Sequence, residues 1–330
     1  MFSTDSGRAS CRQLRLGRLD DMTALHESSG SARLHRLHLR AVEPGRQATL
    51  RQIGRSRSRR EQLERLHLFA AMRSRPPVFA YWSAALIHGL PLLNAPPPTI
   101  HVLAAGSTES AAHGVVSHRR SAAAPGVATH GLQVTPVAET VAALAGRTSF
   151  LEGVVLADHA LHTGAFGDRE ALTCPAELIE AAGSLTDPSE RRRSLAVAGF
   201  ADGRSESPLE SVSRATMALA GAPPPELQLR VHDLFGVVAR LDFCWPGLGI
   251  AGEADGAEKL QHPASRRFPE VRQELAARVE RDRRIERTGL RVVRWRWATG
   301  RRVDLMRELL LREGVPLDSR RRIAEIGLAP

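Results

Sequence analysis

The order of elements predicted for the last third of the chain limits its possible folds more than any other feature. The segment "PLESVSRATMALA" is typical of a helix, with Ser207 as its N-cap, Pro208 at its first position and Gly221 just after its end. The segments "ELQLRVHD", "VVARLDFCW" and "LGIAGEAD" then predict three strands, joined by turns at "DLFG" and "WPGLG". This pattern favours a sheet that begins directly after a capped helix.

A long helix and a fourth strand complete the pattern. Helical periodicity runs from about Phe268 to Thr288 and stops at Gly289, and "LRVVRWRW" predicts the last strand. The predicted inner stripe of the long helix consists of Phe268, Val271, Leu275 and Val279. We therefore expect residues 201–316 to form an αβββαβ domain, followed by a tail over residues 317–330.

The sequence before residue 201 predicts a separate mixed α/β domain over residues 61–200. The segments "REQLERLHLFAAM" and "AYWSAALIHGLPLL" predict helices, the second of which ends at Gly89 and Pro91. Strands are predicted at "TIHVLA", "GVVSHRR" and "GLQVT", and two further helices at "PVAETVAALAG" and "FLEGVVLADHALHTG". The Gly-, Ser- and Pro-containing stretch "AGFADGRSESP" predicts the domain boundary near residue 201.

The formal charge of +10 is concentrated at the start of the chain. Residues 1–60 hold 13 arginines and five acidic residues, a net charge of +8, without a helical period sustained over several turns. We expect a basic, poorly ordered or degenerate winged-helix region there, and a polyanionic partner such as nucleic acid. The sequence contains neither a run of about 18 apolar residues nor the apolar segment of a secretory signal, so we expect a cytoplasmic protein.

Acidic residues occupy three places in the predicted αβββαβ domain from which they can meet. Asp242 lies in the second strand, Glu253 near the end of the third, and Glu210 on the opening helix. Neighbouring strands bring the first two carboxylates within reach of one cation, and such oxygen ligands suit Mg²⁺, or Mn²⁺ in its place. Asp255 faces the same side as Glu253 if the strand continues that far. The pattern predicts metal-assisted chemistry.

Lys259 is the only lysine in a chain with 45 arginines. Lysine is a compact point charge whose pKa responds to burial, whereas arginine is a planar group that stays charged. If the chain turns at Gly256, the ammonium can orient a metal-bound water, or help to deprotonate it, beside a phosphate. The alternative is a lysine that survives by chance on a solvated loop.

The pieces "SESPLES", "RLDFCWP", "GEADG" and "GLRVVRWRW", in this element order, resemble the PD-(D/E)XK nuclease superfamily. The resemblance is strongest to the Vsr-like (very-short-patch-repair-like) proteins of actinobacteria, whose domain carries an "ExDG" signature, and it covers roughly residues 204–312. It implies that Asp242 and Glu253 are metal ligands and that Glu210 is an auxiliary acid. The lysine of the superfamily normally stands two residues after the glutamate, where this chain has Asp255, so Lys259 would act from a displaced position.

The middle of the chain resembles a second family. The stretches "FAYWSAALIHGLPLL" and "GLQVTPVAETVAALA" look like the body of AbiEi-type antitoxins of abortive-infection systems. In such proteins a DNA-binding winged helix usually precedes this body. Residues 1–60 share the basic charge of such a region and lack its helix-turn-helix periodicity. The resemblance implies DNA and a cognate toxin as partners.

Each candidate residue also has a purely structural interpretation. Glu210 completes an S-x-x-E capping box with Ser207. Asp242 stands among apolar strand residues, where an arginine on a strand would compensate its charge. The arginines that qualify are Arg240 and Arg294. Glu253 and Asp255 can together form an acidic strand end.

The sequence thus supports two functional hypotheses. The first is a Mg²⁺-dependent DNA endonuclease of a defence, repair or toxin–antitoxin context, in which Asp242 and Glu253 hold the metal and Lys259 assists the reaction. The second is a DNA-binding AbiEi-type antitoxin or regulator whose nuclease-like domain is inactive. In either case DNA is the expected partner, a cognate toxin is a candidate partner, and a membrane is not expected.

Overall fold

The computed structural model describes residues 59–104, 110–119, 126–164, 167–255 and 268–318. Over these ranges helices and strands alternate in a mixed α/β arrangement, which confirms the predicted class. The helices are α1 Arg59–Ala71, α2 Tyr81–His88, α3 Val137–Arg147, α4 Phe150–Leu161, α5 Pro175–Gly183, α6 Pro188–Phe200, α7 Pro208–Ala220, α8 Phe268–Glu286, α9 Trp297–Gly300 and α10 Val303–Arg312. The strands are β1 Val78–Phe79, β2 Ile100–Leu103, β3 Ser110–Ala112, β4 Val115–His118, β5 Val127–Thr129, β6 Leu132–Val134, β7 Glu226–Asp233, β8 Gly236–Trp245, β9 Ile250–Ala254 and β10 Arg291–Trp295. The prediction for residues 1–60 lies almost wholly outside the described residues, as does most of the predicted tail.

The described chain divides into two compact units. The first comprises residues 59–79, 98–104, 110–119 and 128–133. It contains α1 and most of a six-stranded sheet in the order β3-β4-β2-β1-β6-β5. Strands β2 and β4 run parallel, with Ile100 opposite Val115. The predicted inner face of α1 is found, since Leu66 and Phe69 are buried.

The second unit begins with five helices that share one core. Leu144 of α3, Leu156 of α4 and Val197 of α6 are buried together in it. Helix α2 ends where the sequence predicted, because Gly89 takes a left-handed conformation with φ of 77° that favours glycine. Helices α5 and α6 were not predicted, although a proline occupies the first turn of each.

The second unit continues into a four-stranded sheet in the order β10-β9-β8-β7. Strand β10 is parallel to β9, and the other neighbours are antiparallel. Helix α7 packs on one face of this sheet together with α10, and helix α8 lies against the other face. The predicted order of a helix, three strands, a helix and a strand is present in the chain.

The predicted inner stripe of α8 is wrong at Val279. Its side chain is 50% exposed, whereas Ile285 of the same helix is fully buried against the sheet. The side chains of the other predicted stripe residues lie outside the described residues. Arg281, Asp282 and Ile285 lie on the face of α8 that contacts the sheet, and the helical period places Val279 outside that face.

A buried ion pair joins the helices on either side of residue 201. Arg214 of α7 donates two hydrogen bonds to Asp158 of α4, at 2.8 and 2.9 Å, and both side chains are buried. The backbone N–H of Asp202 donates to the same carboxylate at 2.8 Å. The second unit therefore extends across the predicted boundary, and it includes both residues 134–200 and residues 201–318 within its described ranges.

None of the helices in the described ranges combines the length and apolar character needed to cross a membrane.

Candidate functional site where two strands separate

Strands β8 and β9 stay paired over a short distance and then separate. Their described ladder runs from Trp245 opposite Ile250 to Phe243 opposite Gly252. Beyond it, β8 continues towards Gly236 in a ladder with β7. Asp242 and Glu253 are the next residues on the two strands, so each follows the last pair of the ladder at the point where the strands separate.

The Asp242 carboxylate spans this opening. It accepts a hydrogen bond from the backbone N–H of Ala254 at 2.8 Å, which draws the side chain towards β9. The side chain is half-buried. Its neighbour Ala254 belongs to the apolar core beneath the sheet. The carboxylate therefore lies at the edge of the apolar core and is only partly exposed to solvent.

Two arginines compensate the buried carboxylate of Glu253. Arg294 stands opposite Glu253 on β10, and its Nε lies 2.8 Å from Oε2. Nη2 of Arg281, from α8, lies 3.3 Å from both carboxylate oxygens. Arg294 also binds Asp282 of α8 at 2.8 and 3.0 Å. We call these four residues, Glu253, Arg281, Asp282 and Arg294, the arginine clamp.

At the start of α7 the predicted capping box is only half formed, because Ser207 caps the helix while the Glu210 carboxylate accepts the N–H of Glu206 instead of that of Ser207. The Ser207 hydroxyl accepts the Glu210 backbone N–H at 3.2 Å and donates to the Glu210 carboxylate at 2.7 Å. The other carboxylate oxygen accepts the backbone N–H of Glu206 at 2.9 Å. Burial raises the pKa of the Glu210 carboxyl above its ordinary value, against the opposite effect of these hydrogen bonds.

Gln228 connects the Glu210 carboxylate to β7. Its Nε2 donates to Glu210 Oε2 at 2.8 Å, while its buried Oε1 has no hydrogen-bond partner in the described part of the chain. The backbone of Gln228 has φ of 57°, which is rare for a residue with a side chain. The pairs Leu227–Phe243 and Leu229–Leu241 place Gln228 opposite Asp242. Glu210, Gln228, Asp242 and Glu253 therefore follow one another from the helix across three strands.

The remaining predicted residues divide between described and undescribed parts of the chain. Asp255 is described: its backbone N–H donates to the carbonyl of Trp295 at 2.8 Å, and its carboxylate pairs with Arg278 at 2.7 Å. Lys259 lies outside the described residues, and its predicted role stays a prediction.

The described residues do not form a complete Mg²⁺ site. Asp242 and Glu253 offer neighbouring oxygen donors of the kind that Mg²⁺ prefers. The Glu253 oxygens, however, are already engaged by two arginines. Among the described side chains, no group of three or more His, Cys, Asp and Glu residues is placed so that it could hold a metal ion. In this arrangement Arg281 and Arg294 balance the charge of Glu253.

Sequence reasoning missed the arginine clamp and Gln228. Arg281 and Asp282 lie within the charge run "RDRRIER", which resembles an ordinary solvated helix face. Only the rotation of α8 shows that these two side chains turn towards β9 and β10. Arg240 and Arg294, the arginines predicted as candidates to compensate Asp242, form ion pairs with Glu206 and Glu253 respectively. No sequence signal marks the left-handed backbone at Gln228.

Comparison with known proteins gives one short similarity. Two relatives, "Uncharacterized protein MT2308" and "Uncharacterized protein Rv2248", come from the CDC 1551 and H37Rv strains of Mycobacterium tuberculosis. Each is 45% identical to this chain over 65 residues, which make up 20% of this chain. The matched part spans 24% of the length of these relatives. No family model matches the chain. No solved structure matches it either.

Proposed function

We propose that the protein is a DNA phosphodiesterase of the PD-(D/E)XK type, with Asp242 and Glu253 as the acidic residues of its site. The observation that supports this proposal is the position of these two residues on adjacent strands, each next to the last pair of the ladder between β8 and β9. The preceding helix adds Glu210 through Gln228. This set of acids on a helix and two adjacent strands agrees with the resemblance seen in the sequence.

The proposal assigns each residue a role that its surroundings allow. Asp242 is held at the opening by the Ala254 N–H, and Glu253 is the residue before Ala254 on the neighbouring strand. Divalent-cation dependence is expected, since phosphodiester hydrolysis by this class uses a metal-activated water. Glu253 would have to exchange its contacts with Arg281 and Arg294 for a cation. DNA is the proposed substrate, while a cognate toxin stays a prediction from the AbiEi resemblance.

The arginine clamp favours a second candidate function, a DNA-binding regulator whose nuclease-like domain does not cleave. Two arginines within hydrogen-bond reach already neutralise the Glu253 carboxylate. Such a network stabilises a buried charge without a metal. If the clamp persists when DNA binds, the domain can hold DNA and leave its backbone intact.

One experiment tests both candidates. Purified protein is incubated with supercoiled and linear DNA, in Mg²⁺ or in EDTA, beside the variants Asp242→Asn and Lys259→Ala. Asp304→Asn is the matched control, because Asp304 is an exposed acid on α10, away from the separating strands. Loss of a metal ligand should reduce nicking by at least about 100-fold, the upper range for residues that merely support such ligands.

The outcomes differ clearly. Mg²⁺-dependent nicking by wild type and Asp304→Asn, lost in Asp242→Asn, supports the nuclease. If wild type nicks no better than Asp242→Asn, the enzyme proposal is wrong. DNA binding that persists in EDTA without cleavage then favours the regulator.

A further inference from the structure

The hairpin formed by β7 and β8 ends in an unusually apolar tip. Leu234 is 99% exposed and Phe235 is 89% exposed, and Val237 on the adjoining strand is 61% exposed. Exposed turns of two-residue hairpins are normally built from Asn, Asp and Gly. Here Leu and Phe occupy the two turn positions between Asp233 and Gly236, which face each other across the hairpin. This local departure from turn chemistry indicates a functional surface.

The tip is held in a defined position. The Asp233 carboxylate accepts the backbone N–H of Phe235 at 2.7 Å. The same carboxylate binds Arg284 of α8 through two hydrogen bonds, of 2.7 and 2.8 Å. Gly236 closes the turn with φ of 111°, a conformation that side chains rarely adopt. The apolar pair is therefore presented by a turn that is anchored to a helix.

Two arginines lie on the hairpin and two more lie beside its tip, close to the acidic Asp233. Arg230 and Arg240 stand directly opposite each other on β7 and β8, an arrangement in which like charges repel. Arg240 is paired with Glu206, while Arg230 is exposed and has no ion-pair partner among the described residues. At the tip, Arg284 and Arg287 both act on the Asp233 carboxylate, whose pKa they lower. An anionic partner would give Arg230 the counter-charge that Glu206 already gives Arg240.

We propose that this hairpin is a DNA-binding arm that lies in a groove of duplex DNA and presses Leu234 and Phe235 against the base stack. The inference rests on the proposed action on DNA and adds the surface that engages the duplex. A two-stranded β-ribbon fits the major groove, which is about 12 Å wide. Apolar side chains such as Phe and Leu wedge between base steps, while neighbouring arginines contact phosphates.

The arm and the candidate site are connected by a single strand, β8. From Asp242 to Gly236, β8 runs beyond its ladder with β9 and remains paired with β7. Six residue steps of about 3.3 Å each place the tip roughly 20 Å from Asp242. The same strand thus carries the candidate acid at one end and the apolar tip at the other. Contact at the tip would set which phosphate faces Asp242.

The test uses the full chain in EDTA, so that binding is measured without cleavage. The ligand is duplex DNA carrying 2-aminopurine, whose fluorescence rises when its base step unstacks, within a flexible TA step. The variant is Leu234→Ser with Phe235→Ser. Its matched control is Ile179→Ser with Leu195→Ser, two apolar residues that are also exposed, on α5 and α6. Circular dichroism checks that both variants keep the melting temperature of wild type.

We expect wild type and control to bind and to raise the fluorescence. The tip variant should lose the fluorescence rise and roughly tenfold in affinity, as for removal of one base-stacking side chain. If wild type binds DNA and the tip variant matches it in both affinity and fluorescence, the proposal of a DNA-binding arm is wrong and the proposed function is unaffected. If wild type binds no DNA, both fail.

Two further measurements would overturn the choice of partner. Binding to anionic vesicles that disappears in the tip variant would assign the tip to a lipid surface. Self-association in light scattering that disappears in the same variant would assign it to a second copy of the chain. Arg230→Gln separates the charge contribution: it should weaken binding to all sequences alike and reduce the salt dependence by about one ion.

Discussion

At the scale of single residues, the candidate site depends on how each buried carboxylate is compensated. Glu253 is balanced by Arg281 and Arg294, while Asp242 receives a backbone N–H. Glu210 is held by one hydroxyl, one backbone N–H and one amide. A buried ion needs such partners, since its desolvation is costly. Each carboxylate therefore makes a different experimental prediction.

The variant Glu210→Gln should change how stability depends on pH. Burial raises the pKa of Glu210 above its ordinary value of 4.5 in the folded protein, so the folded state holds this proton more tightly than the unfolded chain. As pH rises from about 4.5 through the raised folded-state pKa, wild type loses stability through this group. A glutamine can keep the contacts, with Oε1 accepting from Glu206 and Gln228 and Nε2 donating to Ser207.

Urea unfolding of both proteins, from pH 4.5 to pH 8, measures this effect. Glu210→Gln should gain stability relative to wild type as pH rises. A difference between the two proteins that stays constant over this range would contradict the prediction.

The variant Arg294→Gln tests whether the position of Glu253 accepts a cation. Without Arg294, Glu253 keeps Arg281 as its described partner and Asp282 loses the arginine that binds it, so the site becomes more negative. A ligand that binds the folded state stabilises it by mass action. Mg²⁺ should therefore raise the melting temperature of Arg294→Gln, by about 2–4 °C for each kcal/mol of binding. In the double variant with Asp242→Asn, Mg²⁺ should no longer raise the melting temperature. An equal rise in the single and the double variant would show that Mg²⁺ binds away from Asp242.

The sequence predicted the acids of the candidate site and not their partners. Asp242 and Glu253 were found because strand patterns and turns are local signals, and a two-residue period assigns their neighbours. Arg281 and Asp282 were not found, since in a helix with charges on several faces the direction of a side chain depends on tertiary packing. The misassigned burial of Val279 has the same origin.

At the scale of elements, Asp158 and Arg214 join α4 to α7. Arg214 also donates to the carbonyl of Phe200 at 2.7 Å and stacks over the Phe200 ring at 4.1 Å. Breaking a buried ion pair from one side leaves an uncompensated charge. This contact was beyond sequence reasoning, because its two residues are 56 positions apart.

Asp158→Ala should destabilise the protein by about 3–5 kcal/mol, the usual cost of leaving one partner of a buried pair without the other. Chemical denaturation followed by circular dichroism measures the change. Asp304→Ala is the control, because Asp304 pairs with Arg302 at the exposed start of α10 and should give no measurable change. Equal effects of the two substitutions would contradict the role given to Asp158.

Local end signals decided which helices the sequence could predict. Helix α7 was predicted to the residue because Ser207, Pro208 and Gly221 mark its ends. Helices α5 and α6 carry comparable signals, with Pro175 after Cys174 and Pro188 after Asp187. They were missed because mixed charge and short length hide their apolar faces, although Leu178 and Val197 are buried.

At the scale of the whole molecule, the limits of the second unit differ from a division at residue 201. The division into residues 61–200 and 201–316 was predicted from the glycine- and serine-rich stretch between them, since such a composition is typical of a linker. In the structure Asp202 within this stretch and Arg214 beyond it both bind Asp158 before it. A composition signal reports a loop, and whether the loop separates two cores depends on contacts made elsewhere in the chain.

A comparison of two fragments tests this organisation. A fragment of residues 201–330 keeps the four-stranded sheet and loses α4, which leaves Arg214 without its carboxylate partner and exposes the face of α7 that packs there. A fragment of residues 134–330 keeps both the four-stranded sheet and α4.

We expect the shorter fragment to melt at a lower temperature. Arg214→Met should raise its melting temperature, since a methionine removes the unpaired charge while filling similar volume. The same substitution in the longer fragment should be destabilising, because it leaves Asp158 buried without its arginine. If the two fragments melt alike, and Arg214→Met acts with the same sign in both, the chain past residue 201 folds without help from α4.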